Sequence, residues 1–183
     1  MKEINPEHLL DRFSTHLRNV VAKSMALATS LKHELVSPVH LLMAILEEEG
    51  SVAHEILKNA GIKEKDLLAL LKNKPILKKD AIKIATLTIP ELDARAKQAL
   101  EKSIMIAYER SHNHVGTEHL LLGIIKNKDE DIAIITKKFK NSKKIVIEEI
   151  ENILTSTSRF PKVEEMSDIM SQIDDIASQA GPI

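Results

Sequence analysis

Val115-Gly116-Thr117-Glu118-His119-Leu120-Leu121-Leu122-Gly123-Ile124-Ile125 is matched 79 residues upstream by Val36-Ser37-Pro38-Val39-His40-Leu41-Leu42-Met43-Ala44-Ile45-Leu46. The match extends back without a gap. His33 falls on His112, Ala28 on Ala107 and Lys23-Ser24 on Lys102-Ser103, with apolar exchanges such as Met25/Ile104 and Val21/Leu100 between them. Self-similarity at a fixed offset marks an internal duplication, and it has to be read before any single element. Downstream, the register is expected to slip by about one residue, so that Val52-Ala53 faces Ile132-Ala133.

Both copies read as helical, because apolar residues recur at three- and four-residue steps. Leu17, Val20, Val21, Ser24, Met25, Ala28 and Leu31 form one stripe; Ala96, Ala99, Leu100, Ser103, Ile104 and Ala107 form its counterpart. A second helix is expected after Ser37-Pro38, with Ser37 as N-cap and Pro38 in the first turn, where its missing N–H is not needed. Thr117 is assigned the Ser37 role in the other copy. Third helices are expected from Ser51 to about Ala60, stopped by Gly61, and from about Asp129 to Phe139. Fourth helices are expected from about Lys63 to Leu71 and from Ser142 to Leu154. The fold class is therefore all-α: two tandem four-helix repeats related by pseudo-two-fold symmetry, each small enough to need burial against the other.

The repeats are assigned to residues 1–72 and 91–155. Residues 73–90, bounded near Pro75 and Pro90, read as a linker lying extended on the bundles, a short helix being the alternative. After the Thr155-Ser156-Thr157-Ser158 break, Val163, Met166, Met170, Ile173 and Ala177 recur at helical spacing opposite Glu164, Glu165, Asp168, Asp174 and Asp175. Residues 156–183 thus read as a linker and an acidic amphipathic tail helix.

Composition removes many functions. Lys plus Arg number 26 against 27 Asp plus Glu, so no global positive field draws nucleic acid or anionic membrane. There is no cysteine, which excludes disulfides, thiolate nucleophiles and thiolate zinc sites. No apolar run nears the roughly 20 residues of a membrane span, and Met1 to Leu10 has no signal-peptide core, so a cytoplasmic location is expected. Glycines at 50, 61, 116, 123 and 181 give none of the spacings of a phosphate loop, a dinucleotide fingerprint or a nucleophile elbow. No cofactor is called for and no catalytic constellation appears, so the chain reads as a non-enzyme.

The densest metal-capable cluster is His112, His114, Glu118 and His119, but convergence of three ligands is not implied by this spacing. The structural reading is favoured: His40 and His119 use a ring nitrogen to tie a neighbouring loop to the helix start. Lys137, Lys138, Lys140, Lys143 and Lys144 read as a solvated face. Met25, Met43 and Met105 read as core gap-fillers.

The segment Val115 to Ile125, some 22 residues after a helix start around Arg95-Ala96-Lys97, resembles the G-T-E-H-hydrophobic-L-G core of Clp N-terminal repeats. These are the docking domains of ClpC- and ClpA-type AAA+ unfoldases. The resemblance covers residues 8–155 and accounts for motif, duplication and helix count together. It implies a non-catalytic module that captures adaptor proteins and substrate polypeptides for a Clp ATPase ring, either in cis as the N-terminal part of a longer subunit or in trans as a free-standing modulator. The reading from a different class is a helical oligomerisation protein that self-associates through 161–178. In ClpC-type members the resemblance further implies a phosphoarginine site in each repeat, an acid meeting the guanidinium and a Thr helping with the phosphate. Position by position, copy two supplies Glu118 and Asp93, with Arg95 and Thr117 beside them, and copy one supplies Val39 and Ser14. Paired within each copy, Val39 cannot bind a guanidinium and Asp93 repels a phosphate, so phosphoarginine binding is expected to be weak or absent.

Overall fold

The computed structural model describes residues 12–76 and 90–156. Eight helices lie among them. They are α1 (Thr15–Ser30), α2 (Pro38–Leu46), α3 (Val52–Asn59), α4 (Glu64–Leu71), α5 (Ala94–Glu109), α6 (Thr117–Ile125), α7 (Glu130–Thr136) and α8 (Lys143–Ser156). The architecture is all-α, as the periodicity predicts. The form of the linker over 77–89 and the tail helix fall outside the described residues.

Burial follows the repeat. Leu17, Val20, Ser24 and Ala28 are the buried stripe of α1; Ala96, Ala99, Ser103 and Ala107 take the same places on α5. The hydroxyls of Ser24 and Ser103 are satisfied inside their own helices, by the Val21 carbonyl at 2.7 Å and the Leu100 carbonyl at 2.6 Å. Helices α2 and α6 are buried along almost their whole length, so they form the centre around which the longer helices pack. In repeat two the residues at this crossing are smaller. A Cβ on Gly123 of α6 would lie 2.5 Å from the Ala99 carbonyl oxygen of α5, so glycine is what allows the two backbones to approach.

The expected one-residue slip does not occur. Ala53, Ile56 and Ala60 are buried, and so are Ile132, Ile135 and Phe139; further on, Leu67 and Leu71 match Val146 and Ile150. All keep the 79-residue offset. The impression of a slip arises at the helix starts, because α7 is capped by Asp129, one residue earlier than the Ser51 cap of α3 implies. Met105 is also corrected. It is 59% exposed on the outer face of α5, whereas Met43 is buried and Met25 half-buried.

The repeats exchange backbone. Strand β1 (Leu35–Val36), which leads into α2, pairs in parallel with β2 (Glu91–Leu92), which leads into α5. At the offset positions Phe13, ahead of α1, bridges Val115, ahead of α6, also in parallel. The Asp93 N–H donates to the Val36 carbonyl and the Ser14 N–H to the Val115 carbonyl, each at 2.9 Å. These bonds are equivalent under a pseudo-two-fold, and each joins the first helix of one repeat to the second helix of the other.

Candidate functional site

That crossing decides which residues can cooperate. Ser14 caps α1, its Oγ accepting from the Leu17 N–H at 3.1 Å, and it lies beside the start of α6. The result is a pocket of about 350 Å³ lined by Ser14, His16, Val52, His114, Thr117 and Glu118, among others. Asp93 caps α5 through the Ala96 N–H at 2.7 Å and lies beside the start of α2. There a smaller pocket of about 180 Å³ gathers Asp93 with Glu34, Leu35, Ser37 and Lys74. The within-copy pairing read from the sequence is therefore corrected. Glu118 keeps company with Ser14, and Asp93 with the helix start that carries Val39, which is fully buried in the core. Arg95 lines neither pocket; its Nη1 donates to Asp129 Oδ2 at 3.0 Å, tying α5 to the cap of α7.

The helix starts are built on histidines. The Ser37 N–H donates to His40 Nδ1, and the Gly116 N–H to His119 Nδ1, each at 3.0 Å. A histidine thus does at the third helical position what Glu or Gln does in a capping box. This is the tie expected of His40 and His119. The far nitrogens reach back to the preceding loop: His40 Nε2 lies 2.8 Å from His33 Nδ1, and His119 Nε2 the same distance from His112 Nδ1. Both pairs are buried and meet edge to face. Burial is the main cause that holds His40 down at about 4, helped by the neighbouring His33 and by Lys74; burial also lowers His33 and His112.

Thr117 does not cap α6. The cap position falls on Gly116, which offers no side chain, and Thr117 is the first helical residue. Its buried Oγ1 instead accepts from the Ala53 N–H of α3 at 3.4 Å, a further link between repeats. Ser37 is at the cap position as predicted, but its hydroxyl turns to His40 Nδ1 at 2.9 Å.

Glu118 is folded back over Gly116, where a Cβ would run into its carboxylate, and its Oε1 lies 2.9 Å from His119 Nδ1. Its side chain is 14% exposed, at the pocket surface. Burial opposes its charge, but the contact with His119, its own backbone N–H and the nearby imidazoles together hold the carboxyl below its usual range. Among the described residues no group of three or more His, Cys, Asp or Glu could hold a metal ion.

A residue missed by the sequence reading is Glu48, buried after α2. It takes Lys23 at 2.6 Å, His16 at 2.8 Å and Asn19 at 3.0 Å, and these bonds, outweighing the cost of burial, hold its carboxyl at about 2. Asn127 replaces it at the offset position, bonding Lys102 at 3.1 Å and the Arg95 carbonyl at 3.0 Å. The retained Lys23/Lys102 identity was the available signal.

A family model described as the Clp repeat (R) N-terminal domain matches residues 12–139 and, separately, 91–174. The chain belongs to the Clp N-terminal domain family. Among curated proteins this Clp N-terminal domain is similar to a ClpA homolog of Cyanidium caldarium, named as an ATP-dependent Clp protease ATP-binding subunit. The two are 29% identical over 178 residues, covering 91% of this chain and 20% of that protein. The chain thus spans about a fifth of that relative's length. Among solved structures, the Hsp104 N-terminal domain from Candida albicans shares the fold with a TM-score of 0.65 at 18% identity, covering 80% of this chain and 93% of that one. A ClpV N-domain in complex with a VipB peptide superposes with a TM-score of 0.62 at 12% identity, covering 86% and 96%. No helix among the described residues is long and apolar enough to cross a membrane.

Proposed function

We propose that this Clp N-terminal domain is a non-catalytic peptide-docking module of a Clp-type ATP-dependent unfoldase. In this reading it delivers adaptors or substrates to an ATPase ring, and its principal docking point is the pocket between the starts of α1 and α6. The curated relative is named as a Clp ATP-binding subunit, which supports the ring as destination. The ClpV N-domain solved with a VipB peptide supports peptide as cargo.

The observation that carries the reading is the meeting of Glu118 with Ser14 in one pocket. A carboxylate at the pocket surface, flanked by Val52 and by hydroxyl and imidazole groups, suits a cationic side chain on an extended peptide. The repulsion expected from Asp93 does not arise in this pocket, because Asp93 lines the other one. At the Glu118 position the helix start beside the second pocket has Val39, which is buried in the core, and the pocket itself contains a lysine, Lys74, so one strong docking point per chain is expected.

The test is a fluorescence-anisotropy titration with labelled peptides carrying arginine, phosphoarginine or glutamine at one central position. The arginine peptides should bind at least about tenfold more tightly than the glutamine peptide, and Glu118→Gln should abolish the difference, the loss of one charge-assisted bond. Equal binding of all three peptides would reject this pocket as the docking point.

A further inference from the structure

The turn between α7 and α8 gathers lysines that lack a counter-charge. Residues 133–145 hold Lys137, Lys138, Lys140, Lys143 and Lys144 and no acid. Lys138 pairs with Asp66 of α4 at 2.7 Å, and Lys144 with Glu148 one turn along α8 at 3.6 Å. Lys137, Lys140 and Lys143 have no ion-pair partner among the described residues, and all three line a shallow pocket of about 540 Å³. Ala133, Thr136 and Phe139 line it too, so ammonium groups and apolar surface share one concavity. Ile134 and Ile145, on the helices either side of the turn, are 44% and 48% exposed.

Repeat one offers an internal comparison. At the 79-residue offset its α3–α4 turn, residues 54–66, has Lys58, Lys63 and Lys65 balanced by Glu55, Glu64 and Asp66. Those three acids correspond to Ile134, Lys143 and Ile145. A self-neutralised turn in one repeat is thus basic and apolar in the other. Packing does not demand the difference, because the buried positions on both sides are kept: Ile56 matches Ile135, and Leu67 matches Val146. Clustered like charges repel and exposed isoleucines remain wet, and an occupant that is acidic on one side and apolar on the other relieves both.

The chain contains a segment of that description. From 163 onward Glu164, Glu165, Asp168, Asp174 and Asp175 stand without a single Lys or Arg, opposite Val163, Met166, Met170 and Ile173. They are within reach of the turn. From Ser156, the last described residue, back to Lys143 is about 20 Å along α8 at 1.5 Å per residue. The stretch from Ser156 to Glu164 spans up to about 26 Å if extended, and that from Ser156 to Asp175 about 28 Å if helical. Either conformation brings carboxylates to the lysines.

We propose that the acidic segment 163–175 docks on the α7–α8 turn of its own chain, its carboxylates meeting Lys137, Lys140 and Lys143 and its apolar side covering Ile134 and Ile145. One surface ion pair contributes little; several acting together with apolar cover contribute more. This site shares no residue with the pocket that holds Glu118, and the proposal does not rest on the peptide-docking reading.

The cysteine-free sequence allows one spin label in the full chain, at Ser178→Cys, just past the acids and replacing none of them. Paramagnetic broadening of backbone amides by NMR then reads the contact. Broadening over 133–145 should be strong at about 50 mM salt and fall at least about twofold at about 0.5 M, where the screening length is about threefold shorter. The Lys137→Glu, Lys140→Glu, Lys143→Glu triple variant should lose it. Exchanging the five acids for lysine in that variant should restore it, which separates charge pairing from damage to the turn. Absence of broadening at the turn, broadening that survives the triple reversal, or failure of the exchange to restore it overturns the proposal. Mixing spin-labelled chains with separate isotope-labelled ones reads the alternative occupant. Broadening of the turn in that mixture assigns the contact to a second copy and overturns docking within one chain.

Discussion

His40 should make the fold sensitive to mild acid in a window where carboxylates contribute little. Its ring is buried, bonded on both sides, and held at about 4 against 6.5 for the unfolded chain. A group whose folded value is depressed binds fewer protons when folded, so its contribution is intact above 6.5 and is lost as pH falls from 6.5 toward 4. At pH 5 the unfolded imidazole is almost wholly protonated and the folded one hardly at all, which amounts to a loss of up to about 2 kcal/mol relative to pH 7.5. Glu48, held at about 2, acts only at lower pH, below the ordinary carboxylate value. Urea denaturation followed by far-ultraviolet circular dichroism at pH 7.5 and 5.0 reads the difference. His40→Gln keeps an acceptor for the Ser37 N–H, as in a capping box, but removes the titration. Its loss between the two pH values should be smaller than that of the unaltered protein by most of those 2 kcal/mol. An equal loss in both proteins would refute the assignment of the acid sensitivity to this ring.

Gly123→Ala places a methyl group against the Ala99 carbonyl and should cost about 1–3 kcal/mol, visible as a lowered calorimetric melting temperature. Ala44, at the same place in repeat one, shows that a methyl group is tolerated there, opposite Val20 rather than Ala99. Lys32 and Ser111, at the ends of α1 and α5, have φ of 58° and 57°, in the left-handed region that side chains disfavour. Glycine at either position should raise the urea midpoint by the equivalent of about 1 kcal/mol, and a fall at both would show that those side chains hold contacts outweighing the strain.

The duplication and its helices were legible because burial in a bundle imposes a periodicity that both copies keep, down to Leu17/Ala96 and Leu71/Ile150. The register beyond α2 is obscured in the sequence because a helix start depends on which residue caps it, and Asp129 and Ser51 do not occupy equivalent positions. The partnership of Ser14 with Glu118 was not legible. It depends on short strands pairing between the copies, and two-residue strands such as Leu35–Val36 and Glu91–Leu92 carry too little pattern to announce a partner. Thr117 is the nearest residue to the start of α6 with a side chain able to cap it, whereas the cap position itself falls on Gly116. The real signal was the histidine three residues beyond each cap position, which both copies retain.

Because the pockets beside the starts of α6 and α2 each take residues from both halves of the chain, a solitary half would possess neither. Two identical halves would complete each other only by meeting about a dyad, which obliges their two clefts to be chemically alike. Joining the halves in a single polypeptide lifts that obligation, and here one cleft carries Glu118 while the other, whose matching position is the core residue Val39, carries Lys74.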